Sequence, residues 1–199
     1  MNLFQHTLHI FHSDMEEIRG RLSLCQTYSN TLNIPHIEKL RTILNETNSP
    51  LSQFREVKKY LRAKKDVIVK FYSLDKKNYI SVCSDFFSHE GAFDMSKFYF
   101  EDLDVFVMAI SCADSQCLLS IILGQAQVGS FTFDLEHMGL DDIVSIIGTY
   151  VDPPLWPQYR IDIVSIYEIF NELKSAQTLS DEEALQLLKE NSQIDEFIL

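Results

Sequence analysis

The hydrophobic pattern of this chain changes its period at about Asp66. Before that point, apolar residues recur at helical spacing, as Leu51, Phe54, Val57 and Leu61 do. After it, short β-branched and aromatic runs alternate with turn residues, which is typical of strands. Because strands follow helices in blocks rather than alternating with them one by one, the pattern indicates an α+β fold.

The strand candidates follow one another at the short spacing of an antiparallel meander. They cover residues 67–74, 79–83, 92–100, 104–112, 117–123 and, more briefly, 131–133. We therefore expect a single domain of 199 residues: a helical part over 1–65, a mainly sheet part over 66–133 and a mainly helical part over 134–199. The expected fold has N-terminal helices, a central antiparallel sheet of about five strands with helices on one face, and C-terminal helices packed on the sheet.

Capping residues predict where two of the helices begin. Ser13 with Glu16, and Ser180 with Glu183, have the Ser-x-x-Glu spacing of a capping box, which satisfies free amides at a helix start. The secondary structure of residues 160–166 is ambiguous, since their β-branched content favours a strand and their apolar spacing favours a helix. Helix is the preferred interpretation.

The connection VDPPLWPQYR, residues 151–160, holds three of the five prolines and the only tryptophan. Prolines 153, 154 and 157 prevent the preceding helix from continuing and pre-order the chain. Trp156 is then either a side chain that fills the core from a stiff loop or an exposed aromatic anchor for a partner. The sequence does not separate these two interpretations.

The composition is that of a folded protein, with 46% hydrophobic residues and 12% aromatic residues. The start of the chain lacks the pattern of a signal peptide, and its longest strongly apolar run, residues 117–124, is too short to cross a bilayer. These features predict a cytoplasmic protein that does not enter membranes, with Cys25, Cys83, Cys112 and Cys117 as reduced thiols.

Charge is distributed very unevenly along the chain. Residues 1–80 carry 13 Lys and Arg against 8 Asp and Glu, whereas residues 81–199 carry 4 against 21, within a net charge of −12. Such asymmetry predicts an acidic surface that binds a basic partner, although the two regions can also face each other or water. The residues expected to bind a partner are Glu101, Asp102, Asp104, Glu136, Asp141, Asp142 and Trp156.

Nucleic acid is not the expected partner. Residues 55–65 form a basic helical face, but an acidic chain repels phosphate unless its charges are well separated. A solvated helix face explains these residues more simply.

No metal, cofactor or catalytic group is expected. His6, His9 and His12 recur every three residues, but in a strand the middle one points away from the other two. Cys112 and Cys117 have no second cysteine pair with which to form a zinc ribbon. The chain also lacks the Gly-x-Ser-x-Gly motif of serine hydrolases.

The segment Gly124-Gln-Ala-Gln-Val-Gly129 leaves one enzymatic alternative open. It follows a strand candidate, where an acyl-type transferase would place a phosphate-binding turn, but it has few glycines and no Lys. A bend between two strands explains the same residues.

The function most consistent with these features is a non-enzymatic acidic protein-binding module. Its most specific form is a bacterial inhibitor or immunity protein that occludes the basic site of a toxin or nuclease. The alternatives are a small acyl-type transferase with its pocket near Gly124–Gly129, and a regulatory or secretion-associated partner protein.

Overall fold

The computed structural model describes residues 6–29, 71–84, 100, 102–113, 115–180, 182, 183 and 186. At 23–29, 71–75, 83 and 84 the description covers the backbone only. The expected helices over 30–65, the basic face 55–65 and the expected strand 92–100 fall outside the described residues, except for Phe100, which is buried. None of the described helices is long and apolar enough to cross a membrane.

The described elements are six strands and three α-helices, with one 3₁₀ helix between the last two helices. They are β1 (His6–Phe11), α1 (Met15–Ser29), β2 (Phe71–Asp75), β3 (Tyr79–Ser84), β4 (Phe106–Ala113), β5 (Gln116–Leu123), β6 (Ala126–Asp134), α2 (Leu140–Tyr150), the 3₁₀ helix (Pro153–Tyr159) and α3 (Ile163–Ala176). The strands form one antiparallel sheet in the order β2-β3-β1-β4-β5-β6. The α+β class with an antiparallel sheet and helices at both ends of the chain is confirmed.

The sheet holds six strands because β1, which lies in the part expected to be helical, joins its centre. Its residues pair with β3 on one side and β4 on the other, so that Ile10 lies between Ile80 and Val107. Thr7 to Phe11 are all buried. The segment is only six residues long, and its alternation of polar and apolar residues was outweighed by the helical pattern that follows.

The C-terminal helices cover one face of the sheet. Ile143 and Ile147 of α2 and Ile166, Ile169 and Phe170 of α3 are completely buried in a core that they share with β1, β3, β4, β5 and β6. This packing of C-terminal helices on the sheet agrees with the expected architecture.

The opposite face is buried as well along the central strands. Leu8 and Ile10 of β1, with Val107 of β4 and Ile122 of β5, point away from α2 and α3 and are at most 1% exposed. Strands buried on both faces read as continuous apolar runs rather than as alternating patterns.

The prediction of reduced thiols is wrong for Cys112 and Cys117, which form a disulfide. The register of β4 and β5 sets these two residues directly opposite each other, with Cα atoms 4.0 Å apart. Such a separation is near that of the closer pairs of an antiparallel ladder, where side chains approach most closely. Both cysteines are buried in the core under α2 and α3.

The helix starts agree in part with the expected capping residues. Helix α1 begins one residue later than expected: the Asp14 carboxylate, rather than the Ser13 hydroxyl, accepts a hydrogen bond from Glu17 N (3.0 Å). At Ser180 the capping box is confirmed. There the Glu183 carboxylate accepts from Ser180 N (2.8 Å) and the Ser180 hydroxyl accepts from Glu183 N (3.3 Å).

The preferred helical interpretation of residues 160–166 is confirmed from Ile163 onward. Asp162 caps α3, since its Oδ1 accepts a hydrogen bond from Ser165 N at 2.9 Å. Ile161, just before that cap, lies outside the helix, whereas Ile163, Val164 and Ile166 lie within it.

Candidate partner-binding surface

Four carboxylates gather where β6 ends and α2 begins, and we call this group the acidic corner: Asp134, Glu136, Asp141 and Asp142. The connection is anchored by Leu135, which is 1% exposed and whose N–H donates to Ser115 O at 2.8 Å. Glu136 is left exposed directly after this buried residue.

Asp134 is the most constrained carboxylate of the acidic corner. Its Oδ1 accepts from Glu136 N (2.9 Å), and its Oδ2 accepts from Gln116 Nε2 (3.1 Å) and lies 3.1 Å from His137 Nδ1. Desolvation acts to raise the pKa of Asp134, but the hydrogen bonds from Glu136 and His137 outweigh it, so the pKa is lowered. This carboxylate therefore carries its charge over a wide pH range.

Asp141 and Asp142 lie in the first turn of α2, where negative side chains interact favourably with the helix dipole. Both are exposed. Asp141 Oδ1 accepts a hydrogen bond from the Tyr167 hydroxyl, and this bond raises the pKa of Tyr167. The Asp142 carboxylate folds back over Gly139, close enough that a Cβ there would lie 2.9 Å from Asp142 Oδ2.

Among the described residues, Glu136, Asp141 and Asp142 form no ion pair with Lys or Arg. Lys174 of α3 contacts the same connection through the backbone, since its Nζ donates to the carbonyl of Met138 at 3.5 Å. The acidic corner thus combines exposed negative charge with little local compensation.

Asp102 and Asp104 lie at the other end of the strands, and Glu101 falls outside the described residues. The Asp102 carboxylate pairs with Arg21 through both oxygens, with Nη2 2.9 Å from Oδ2, and the hydrogen bond from Arg21 lowers the pKa of Asp102. Asp104 is exposed. One of the expected partner-binding carboxylates is therefore already bound to a cation of α1.

The carboxylates expected to bind a partner form two separate groups. Gly124 N donates to Val105 O (2.8 Å), which places Asp104 at the β5–β6 turn, whereas the Leu135 bond to Ser115 places Glu136 at the β4–β5 turn. Strand β5, eight residues long, separates these two ends, a distance of about 27 Å at about 3.4 Å per residue. A partner must span this distance to contact both groups.

Trp156 is buried, and the interpretation as an aromatic anchor for a partner is corrected in favour of core packing. It is 8% exposed, and its Nε1–H donates to Val151 O at 2.8 Å. The 3₁₀ helix turns the indole toward α2, where a Cβ at Gly148 would lie 4.0 Å from the indole Cζ2. Prolines 153, 154 and 157 hold the chain in this tight turn.

The segment Gly124–Gly129 forms a hairpin rather than a phosphate cradle. Leu123 pairs with Ala126, leaving Gly124 and Gln125 as a two-residue turn in which Gly124 has a φ of 54°. Positive φ at the first turn residue suits the tight turns of hairpins, where glycine is favoured. Gly129 lies within β6 and is covered by the Tyr150 ring.

A buried polar cluster under α3 was missed at the level of sequence. His9 is 4% exposed; its Nδ1 lies 2.8 Å from Ser81 Oγ and its Nε2 lies 3.1 Å from Thr7 Oγ1. Burial, with the nearby Lys76 charge, lowers the pKa of His9 to about 3. Sequence alternation could have found this cluster, because Thr7 and His9 share one side of a strand and Ser81 pairs with His9.

Tyr79 packs beside this cluster, with its ring centroid 6.0 Å from that of His9. Its hydroxyl is buried without a hydrogen-bond partner among the described residues, and burial with the charges of Glu172 and Glu168 raises its pKa. Lys76 forms ion pairs with the same two glutamates, 3.5 Å from Glu168 Oε1.

These groups do not form a catalytic or metal-binding arrangement. His9, Ser81 and Thr7 are each at most 4% exposed, which leaves no surface for a substrate, and no carboxylate orients the imidazole. In strand β1, His6 and His9 point to opposite faces, as the sequence indicated. The described part of the chain holds no group of three metal-ligating side chains.

No family model matches the chain, and no curated protein or solved structure matches it either.

Proposed function

We propose that this chain is a non-enzymatic protein-binding module whose acidic surface binds a basic partner. In its most specific form it is a bacterial inhibitor or immunity protein that covers the basic site of a toxin or nuclease. The mechanism is steric occlusion guided by charge complementarity, so association slows and affinity falls as salt rises.

The observation that carries the proposal is the acidic corner. Glu136, Asp141 and Asp142 are exposed within seven consecutive residues, and none of them pairs with a described Lys or Arg. Exposed, uncompensated charges of one sign raise the encounter rate with an oppositely charged partner. By contrast, Asp102 is already paired with Arg21, so it has less to gain from a partner.

The acidic corner is also held in place. Leu135 is buried, Asp134 accepts hydrogen bonds from its own connection, and Tyr167 of α3 binds Asp141. Carboxylates fixed before binding lose less conformational entropy when a partner arrives. This organisation supports a binding role over that of a generic solvated loop.

The test compares the wild-type chain with the triple variant E136Q/D141N/D142N. Both proteins are immobilised and used to capture partners from a bacterial lysate at about 50 mM and about 500 mM salt, where the Debye length falls several-fold. A basic protein captured at low salt by the wild type is then purified, and its Kd is measured. Three exposed contacts of about 0.5–1 kcal/mol each predict a Kd roughly ten- to a hundredfold weaker for the variant.

A matched control removes three exposed carboxylates outside the acidic corner, in the variant E16Q/D152N/E182Q. It has the same net charge as the triple variant, and its Kd should stay close to that of the wild type. The variant D102N/D104N reports separately on the other end of the sheet. Partners that bind equally at both salt concentrations and to the triple variant would refute the proposal.

The cytoplasmic location belongs to the proposal. The Cys112–Cys117 disulfide, by contrast, is of a kind more common in oxidising compartments. Cells are quenched in acid, free thiols are alkylated with a maleimide under denaturing conditions, and peptide mapping of residues 112–117 decides between the two: a fully alkylated pair means a reducing compartment.

The transferase alternative is not carried forward, because Gly124 and Gln125 form a hairpin turn and Gly129 lies under Tyr150. A regulatory or secretion-associated role would use the same acidic corner. The identity of the captured partner distinguishes that role from inhibition.

A further inference from the structure

Strand β6 is an edge of the described sheet, and its last six residues carry little protection against pairing. Within the described residues it pairs only with β5, and a bulge at Val128 interrupts the ladder between Ile121 and Ile122. After the bulge, Gly129–Asp134 continues as six regular residues. The opposite edge, β2, is five residues long.

Natural edge strands usually carry Lys, Pro or inward-pointing charges that block pairing with another chain. Strand β6 has none of these before its last residue, Asp134. Its side chains remain accessible, since Ser130 and Thr132 are exposed. Two of the exposed large apolar residues also lie here: Val128 in the bulge, and Tyr150, whose ring covers Gly129, each 37% exposed.

We propose that β6 pairs with β6 of a second copy of this chain, antiparallel and centred on Phe131, so that one sheet runs through a symmetric dimer. Antiparallel pairing of identical strands satisfies the two-fold symmetry that most homodimers adopt. The proposal does not depend on the proposed function.

The sequence of β6 is self-complementary in this register. Ser130 faces Thr132 of the second copy, and hydroxyl pairs of this kind stabilise antiparallel ladders. Asp134 faces Val128, so no two like charges lie opposite each other.

The net charge of −12 does not prevent this pairing. The Asp134 side chains of the two copies lie three residues on either side of the centre, which separates them by about 20 Å along the strand. That distance is about twice the Debye length at physiological salt, so their repulsion is largely screened. The acidic corners then lie at opposite ends of the shared strand pair, free to bind a partner.

The test measures the mass of the full chain by sedimentation velocity between about 5 and 200 µM. The wild type should move toward twice 23.1 kDa as the concentration rises. In S130K/T132K each Lys faces another Lys, so the dimer should weaken at least tenfold. In S130K/T132E each Lys faces a Glu of the second copy, so dimerisation should return to within a few-fold of the wild type.

A matched control, Q158K/N171K, adds the same two charges at exposed positions outside the sheet and should remain dimeric. Circular dichroism confirms that each variant is folded. A wild type that stays monomeric at 200 µM overturns the proposal. The edge strand would then be available to pair with a strand of a different protein. A folded S130K/T132K that dimerises like the wild type, or a folded S130K/T132E that stays monomeric, also overturns it.

Discussion

Arg160 holds a backbone conformation that side chains other than glycine rarely adopt. Its φ of 57° and ψ of 26° lie in the left-handed region, and it is the only non-glycine residue with positive φ in the described part of the chain. This conformation ends the 3₁₀ helix and lets Ile161 N reach Trp156 O at 3.0 Å. The bend that buries Trp156 therefore depends on one strained residue.

Replacing Arg160 with glycine should raise the free energy of unfolding by about 0.5–1 kcal/mol. The left-handed conformation costs an L residue about 1–2 kcal/mol, and the greater freedom of glycine in the unfolded chain offsets part of the gain. Urea unfolding measures the change. R160A keeps the strain while removing the side chain, so it should not stabilise the protein; equal stabilisation by both variants would contradict this explanation.

His9 makes stability depend on pH in one direction. Its pKa is near 6.5 in the unfolded chain and about 3 in the fold, so between these values the unfolded state binds the additional proton. The stability that neutral, buried His9 contributes is fully present above pH 6.5. As the pH falls toward 3, the free energy of unfolding decreases by up to about 1.4 kcal/mol per pH unit.

The variant H9Q should flatten this dependence, because Gln can bond to Thr7 and Ser81 but does not titrate. Urea unfolding at intervals between pH 4 and pH 7 gives the slope. The control H12Q changes a histidine of the β1–α1 connection, whose Nδ1 accepts from Asp14 N at 3.0 Å, and should keep the wild-type slope. An unchanged slope in H9Q would assign the acid sensitivity to other groups.

At the scale of elements, the β4–β5 hairpin is closed by a covalent bond. The Cys112–Cys117 disulfide links two directly paired residues, five apart in sequence, under the C-terminal helices. A short loop of this kind lies at the lower end of disulfide stabilisation, about 2 kcal/mol.

Reduction should therefore lower the stability of the wild type by about 2 kcal/mol and leave C112A/C117A unaffected. Unfolding with and without a phosphine reductant measures this difference. Peptide mapping without reduction should recover residues 112–117 as a cross-linked peptide. Free thiols at both positions in protein purified without reductant would show that the pair stays reduced.

Asp162 joins two elements through one carboxylate. It caps α3 by accepting from Ser165 N, and its Oδ2 accepts from Asn78 Nδ2 at 2.7 Å in the β2–β3 turn. Desolvation acts to raise its pKa, but the hydrogen bonds from Ser165 and Asn78 lower it overall.

D162A should cost about 1–2 kcal/mol, the loss expected for a cap with an additional hydrogen bond. D162N keeps an acceptor and should lose less than half of that. D152A is the matched control, since the side chain of Asp152 makes no capping hydrogen bond. Thermal unfolding of the three variants tests the order D162A, D162N, D152A from least to most stable.

Local chemistry explains which elements the sequence could predict. The capping box at Ser180 and the amphipathic helix α2 depend on neighbours within a turn, so their patterns are complete in the sequence. Strand β1 gains its stability from β3 and β4, which lie about 70 and 100 residues away in the chain. The disulfide likewise depends on a register that residue spacing alone does not set.

At the scale of the whole molecule, positive and negative charges are less separated in the fold than they are along the sequence. Arg21 from the basic part pairs with Asp102, and Lys76 pairs with Glu168 and Glu172, so some opposite charges neutralise each other across the fold. Glu136, Asp141 and Asp142 at the acidic corner stay exposed and form no ion pair with a described Lys or Arg. The sequence predicts which residues are charged, but only the strand directions show that these carboxylates fall into two groups.

The central place of β1 has a consequence for how the protein is made. This strand is synthesised before the other described strands, and both of its neighbours follow much later, the second one only when residue 111 has emerged. Until β3 has emerged its apolar side chains have no native strand beside them, and until β4 has emerged one side of β1 stays unpaired. Completion of the sheet is thus a late, long-range event, slow by the measure of contact order, during which a chaperone has its main opportunity to act.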